Sequence, residues 1–153
     1  MRAIILAAGR GSRMKNITEN IPKCLIEING TSLLEMQVQA MKKCSISNIS
    51  IVTGYKNELL SGKELYEFHN PFWAKTNMVS SLECADEWLK IEPCIISYSD
   101  IFYESEAINL LKNNKSDLTI TFDPNWLKLW KKRFDNPLID AETFLINDNF
   151  TVK

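Results

Sequence analysis

The strongest constraint on this chain is its first two dozen residues. Residues 3–8 are apolar without interruption and read as a buried strand, and Gly9 and Gly11 follow at once, one residue apart. Glycines allow a backbone to approach an anion closely and to turn several N–H groups toward it, because no Cβ stands in the way. Arg13 then offers a planar, permanently charged fork suited to phosphate oxygens, and Lys23, in the pair Pro22-Lys23, offers a mobile point charge. A strand that ends in such a turn places these groups at its carboxyl end, where open α/β sheets hold their ligands. The parts are those of a polyphosphate cradle.

Two common phosphate loops do not fit. A Walker loop requires Gly-x-x-x-x-Gly-Lys-Ser/Thr, but Met14 stands five residues after Gly9. A dinucleotide fingerprint requires a third glycine three residues beyond the second, which is again Met14. The acid expected about twenty residues on is also missing, since the Pro22-Lys23 loop occupies that place.

Beyond the opening, strand and helix patterns alternate. Asn29-Gly30 is a turn, and Ser32 with Glu35 has capping-box spacing for a helix running to about Lys43, with Leu34, Val38 and Met41 on one face. Residues 48–53 read as a strand, 65–69 as a short one, and 94–98 as another, followed directly by Ser99-Asp100. Met78, Leu82, Ala85 and Leu89 recur at helical spacing, so a helix is expected to begin just after Asn77. A further helix is expected over 107–111 and a strand over 118–122, halted by Asp123-Pro124. This alternation predicts a mainly parallel sheet in a three-layer α/β/α arrangement. The last residues, Thr151-Val152-Lys153, read as the start of one more strand, whose open edge would invite pairing with a second copy as a homodimer.

A net charge of -1 leaves no basic footprint for nucleic acid, and no apolar stretch approaches a membrane span. Cys24, Cys44, Cys84 and Cys94 lack Cys-x-x-Cys spacing, and the opening apolar run is too short for a signal peptide. Reduced cysteines in the cytoplasm are the simplest expectation. His69 is the only histidine and reads as structural or exposed. No Ser or Cys lies in a recognisable nucleophile setting, so covalent catalysis has little support.

The run Leu6-Ala7-Ala8-Gly9-Arg10-Gly11-Ser12-Arg13-Met14 with Pro22-Lys23 resembles the entry motif of the nucleotidyltransferase superfamily that includes the sugar-1-phosphate nucleotidylyltransferases. The resemblance implies a Rossmann-like fold of the nucleotidyltransferase type, one such domain over 1–153, and nucleotide binding by Leu6, Ala7, Ala8, Gly9, Gly11, Ser12, Arg13 and Lys23. Members are usually longer, so the chain is expected to be either a truncated form or a short member. The base-binding segment typical of hexose-phosphate enzymes is missing. Thr76-Asn77-Met78 followed by Ser80-Ser81-Leu82 instead looks like the phosphocholine and 2-aminoethylphosphonate cytidylyltransferase branch, which loads CMP from CTP onto small phosphorylated or phosphonate amines, as in cell-surface polysaccharide or phosphonate modification. Thr76 and Asn77 would then touch the nucleotide, although Asn77 is equally a helix cap.

Asp100 stands just past a buried strand, so it either simply turns the chain or aims its carboxylate into the ligand crevice. The resemblance points to Asp100 as the Mg²⁺ ligand, with Arg13 and Lys23 as the catalytic cations. The family's second metal-binding carboxylate is expected beyond Lys153, with Asp123, Asp140 or Glu142 as stand-ins. Trp126 and Trp130, four apart, either pack or form a box for an ammonium group with Asp140 or Glu142 nearby. The branch resemblance extends to these positions and to Arg133, as an acceptor-binding region. The alternatives left open are a sugar-1-phosphate nucleotidylyltransferase and a nucleotide-binding module without activity.

Overall fold

The computed structural model describes residues 1–148 and Val152, which divide into two compact units, Met1–Asp117 and Leu118–Lys153. The first unit is built on strands β1 (Arg2–Leu6), β4 (Ile49–Thr53), β5 (Tyr66–His69) and β6 (Cys94–Tyr98). Among the described residues these form one parallel sheet in the order β5-β4-β1-β6. The chain moves outward from β1 to β4 and β5, then crosses back to β6 on the other side of β1. The strand order therefore reverses between β1 and its neighbours, and such a switch point opens a crevice at the carboxyl ends of the strands.

Alternation along each strand explains the three layers. Ala3, Ile5 and Ala7 share one face with Ile49, Ile51 and Ile95, covered by Leu34 and Met41 of helix α1 (Leu33–Lys43) and Ile108 of helix α4 (Ser105–Asn113). Ile4, Val52 and Phe68 face the other way, under Ala85 and Trp88. Here the structure departs from the continuous helix expected after Asn77. It forms two short helices, α2 (Met78–Glu83) and α3 (Asp86–Leu89). The amides of Cys84 and Ala85 bond back three residues, to Ser81 and Leu82, and this tighter turn lets buried Ala85 and Trp88 settle on the sheet.

Helix α1 begins as its sequence requires. Strands β2 (Glu27–Ile28) and β3 (Thr31–Ser32) pair around Asn29 and Gly30, both at positive φ (53° and 79°), as a two-residue hairpin turn demands. The Glu35 amide donates to Ser32 Oγ at 3.2 Å, while the Ser32 amide donates to Glu35 Oε2 at 2.9 Å. The Ser32 amide, joined by the Ser32 hydroxyl donating to the same Glu35 Oε2 at 2.8 Å, holds the Glu35 carboxyl below the usual carboxylate range.

In the second unit a five-residue helix α5 (Trp126–Trp130) carries both tryptophans on one side. The strand expected over 118–122 does not form: no described residue pairs with this segment, and Leu118 is 86% exposed. Apolar, β-branched sequence without a ladder partner has no hydrogen bonds to make it a strand. Val152 bridges Ile146 in antiparallel fashion, while the rest of the expected terminal strand, Thr151 and Lys153, lies outside the described residues.

Candidate nucleotide site

The crevice at the carboxyl ends of β1 and β6 holds a pocket of about 240 Å³. Leu6, Ala8, Gly9, Gly11 and Lys23 form one side, and Tyr98, Ser99 and Asp100 close it from β6. Trp73, Thr76, Asn77, Met78 and Ser81 supply the remaining wall.

Gly11 sits at φ +69°, in the left-handed region, and a Cβ there would lie 3.2 Å from Lys23 Cδ. The missing side chain thus makes room for the lysine stem as well as for the backbone turn. Buried Thr18 ties the following loop back, donating from Oγ1 to the Gly11 carbonyl at 3.0 Å. Tyr55 donates its hydroxyl to the Glu19 carbonyl at 2.5 Å and sets its ring edge-on to Trp73. The phosphate-type loop and the opposite wall are therefore linked through one tyrosine.

Lys23 and Asp100 meet at the pocket, Nζ to Oδ2 at 2.5 Å. Lys23 lies in a short 3-10 turn (Lys23–Leu25) whose fixed entry is set by Pro22, and the Ile26 carbonyl accepts from the Leu33 amide at the start of α1. The neighbouring thiol of Cys24 is pushed up to about 12 by burial, which makes it a packing group and not a nucleophile.

Asn77 performs its cap role: Oδ1 accepts from the amides of Val79 at 3.0 Å and Ser80 at 3.1 Å. Its Nδ2 is a donor group on a residue that lines the pocket. The wall it belongs to is held by buried Asn70, whose Nδ2 donates to Thr76 Oγ1 and Ser81 Oγ, both at 3.0 Å. Asn70 reads in sequence only as part of an Asn-Pro turn, and Trp73 and Tyr98 were equally unsignalled as wall residues.

Other expected site residues fall elsewhere. Ala7 points into the core, as alternation from Leu6 and Ala8 dictates. Ser12 and Arg13 are exposed in the 3-10 stretch Ser12–Thr18 and do not line the pocket. His69 is exposed, with Nδ1 3.1 Å from Thr53 Oγ1. Within the second unit, Trp130 Nε1 donates to Asp140 Oδ2 at 3.2 Å, and the Arg133 guanidinium lies 5.3 Å from the Trp130 ring centre. Trp126 is half-buried and Glu142 exposed in that same unit.

Residues 3–127 match the family model described as the MobA-like NTP transferase domain. The chain belongs to this family. The matched span includes the glycine turn at Gly9 and Gly11 and the pair Pro22-Lys23. It is 38% identical over 163 residues to a CTP:phosphoglutamine cytidylyltransferase of Campylobacter jejuni, a match that covers all of this chain and 64% of that protein. A 2-aminoethylphosphonate cytidylyltransferase of Lancefieldella rimae is 33% identical over 111 residues, 69% of this chain and 45% of that one. Among solved structures, the CTP:phosphocholine cytidylyltransferase of Streptococcus pneumoniae superposes with a TM-score of 0.59 at 29% identity, over 69% of this chain and 49% of that one. The chain thus spans between about half and two thirds of the length of these relatives.

Proposed function

We propose that this transferase domain serves a CTP-dependent cytidylyltransferase. In the reaction an anionic oxygen on the phosphate or phosphonate of a small amine-bearing acceptor attacks the α-phosphorus of CTP in line, and pyrophosphate leaves. The observation that carries the reading is the Lys23–Asp100 pair at a pocket floored by Gly9 and Gly11, at the switch point of the sheet. The names of its relatives support the base and the acceptor class.

The chemistry asks little more of the protein. The attacking oxygen is already ionised at neutral pH, so no general base is required, and catalysis rests on positioning and charge neutralisation. The Gly9–Gly11 backbone would receive the phosphates and Lys23 would hold the α-phosphate as its charge builds, while Arg13, outside the pocket lining on the exposed loop that follows Gly11, would attend β- and γ-phosphates that extend beyond the pocket. Thr76 and the Nδ2 of Asn77, on residues that line the pocket wall, would meet base or ribose. Trp126, Trp130, Arg133, Asp140 and Glu142 remain the proposed acceptor region.

Asp100 also suits a divalent metal. Mg²⁺ commonly takes only one or two carboxylates together with substrate phosphates, and Asp100 brings one carboxylate to a pocket lined by Gly9, Gly11 and Lys23. When bound, Mg²⁺ would supply charge neutralisation on the phosphate oxygens. No helix among the described residues is long and apolar enough to cross a membrane.

The test is a pyrophosphate-release screen with CTP, UTP and dTTP, each against phosphocholine, 2-aminoethylphosphonate, phosphoglutamine and a hexose 1-phosphate. Release with CTP and an amine-bearing acceptor is the expected result. Release with UTP or dTTP and the hexose phosphate would move the domain to sugar activation. CTP binding by calorimetry without release on any acceptor would leave a binding module.

A further inference from the structure

We propose that Gln37, on helix α1 and outside the pocket, is a positioning residue that sets where the Asp100 carboxylate stands. The inference rests on the reading of Asp100 given above. Gln37 is only 1% exposed. Its Nε2 donates to the carbonyls of Tyr98, at 2.9 Å, and of Ile101, at 2.7 Å. Those two carbonyls are the first and fourth of the turn that carries Ser99 and Asp100, so one side-chain amide grips both ends of it.

The orientation of that amide is itself determined. Ser97 Oγ accepts from the Tyr103 hydroxyl at 3.0 Å and shares its one proton between Gln37 Oε1 at 3.2 Å and the Tyr98 carbonyl at 3.1 Å. Carbonyls can only accept, so a flipped amide would set oxygen against two oxygens. Every polar atom of Gln37 is satisfied, and a satisfied buried network rigidifies what it holds. The Ser99 amide adds a third anchor, to the Leu6 carbonyl at 3.2 Å.

Helix α1 also receives the turn of Lys23 at its first residue, through the Leu33 amide and the Ile26 carbonyl. One helix thus braces both members of the Lys23–Asp100 pair. Helical spacing puts Gln37 on the apolar face between Leu34 and Met41, where a polar side chain must find partners or cost the fold dearly.

The experiment compares the full chain with Gln37→Met, which keeps the side-chain length but removes every hydrogen bond, and with Met41→Ala as a control of equal or greater core damage on the same helix face. Hydrogen–deuterium exchange over 98–103, Mn²⁺ affinity by electron paramagnetic resonance and the kinetics of pyrophosphate release are read together with thermal midpoints. In Gln37→Met, exchange over 98–103 should rise about tenfold, the effect of roughly one or two lost bonds. Mn²⁺ should bind more weakly, and kcat should fall about ten- to a hundredfold with KM for CTP nearly unchanged, as misplacement of a reacting group predicts. Met41→Ala should lower the midpoint without moving exchange over 98–103, Mn²⁺ affinity or kcat. Should Gln37→Met fail to fold, Ser97→Ala removes the donor that orients the amide, together with the acceptor of the Tyr103 hydroxyl and the contact to the Tyr98 carbonyl, and should give a smaller change of the same sign, while Tyr103→Phe, which removes the tyrosine hydroxyl alone, should not. Unchanged exchange and Mn²⁺ affinity in whichever variant folds, or equal losses in Met41→Ala, would overturn the proposal. If the natural chain releases no pyrophosphate, the catalytic reading fails while exchange over 98–103 still decides whether Gln37 holds the turn.

Discussion

Replacing Lys23 by Met should move two measurements in opposite directions. Methionine keeps the apolar stem that lies against Gly11 and removes the ammonium that meets Asp100 at 2.5 Å. The two side chains are 26% and 35% exposed, so the pair is partly solvated and contributes at the level of about 0.5–1 kcal/mol after discounting for solvent. That energy now competes with any cation approaching the Asp100 carboxylate, and releasing it is equivalent to about a two- to fivefold gain in affinity. Calorimetric titration of the nucleotide-free chain with Mn²⁺ should therefore show tighter binding in Lys23→Met than in the natural chain. Turnover should fall about a hundredfold or more, the usual cost of removing one preorganised donor from a developing charge. Asp100→Asn, in contrast, should weaken both. Unaltered or weaker Mn²⁺ binding in Lys23→Met would refute the idea that the lysine and a metal share one carboxylate. Near-natural turnover would refute its catalytic role.

Three further outcomes are expected. Gly54→Ala places a methyl 2.6 Å from Trp73 Cβ and 2.7 Å from the Ala8 carbonyl, so it should cost about 1–3 kcal/mol by chemical denaturation and disturb CTP binding with it. Asn70→Ala unties Thr76 and Ser81 from the wall and should raise KM for CTP more than it lowers kcat, which steady-state kinetics would reveal. Ser32→Ala breaks the capping box and should cost about 1 kcal/mol in a urea titration. The Glu35 carboxyl is depressed in the folded chain by bonds from the Ser32 backbone and hydroxyl, so its contribution is present above the unfolded carboxylate range and is lost as pH falls through the folded value; Glu35→Gln should flatten that acid limb.

The parts of this molecule that were legible in its sequence are those encoded within a few residues. The glycine turn, the capping box at Ser32, the buried strand over 49–53, the strand over 94–98 (half-exposed at the sheet edge, not buried as its apolar run suggests) and the cap at Asn77 depend on neighbours in the chain, and each stands where local chemistry puts it. What was illegible depends on distant partners. Gln37 bonds residues 61 and 64 positions away, and nothing nearby distinguishes it from a solvated helical glutamine except its place on an apolar face. The segment 118–122 has strand composition but finds no ladder among the described residues, because a strand is made by its neighbour as much as by its own side chains. The break at Ala85 likewise answers to the sheet beneath it, since Met78, Leu82, Ala85 and Leu89 would suit one unbroken helix equally well.

Trp73 also makes the pocket wall visible to light. Among the described residues it is the one indole in the pocket lining, while Trp88 packs on the sheet and Trp126 and Trp130 belong to the second unit. Substituting phenylalanine at the other three would leave emission from a single ring on the wall of the proposed nucleotide pocket, so a change of that emission on adding CTP would report occupancy without label, acceptor or turnover.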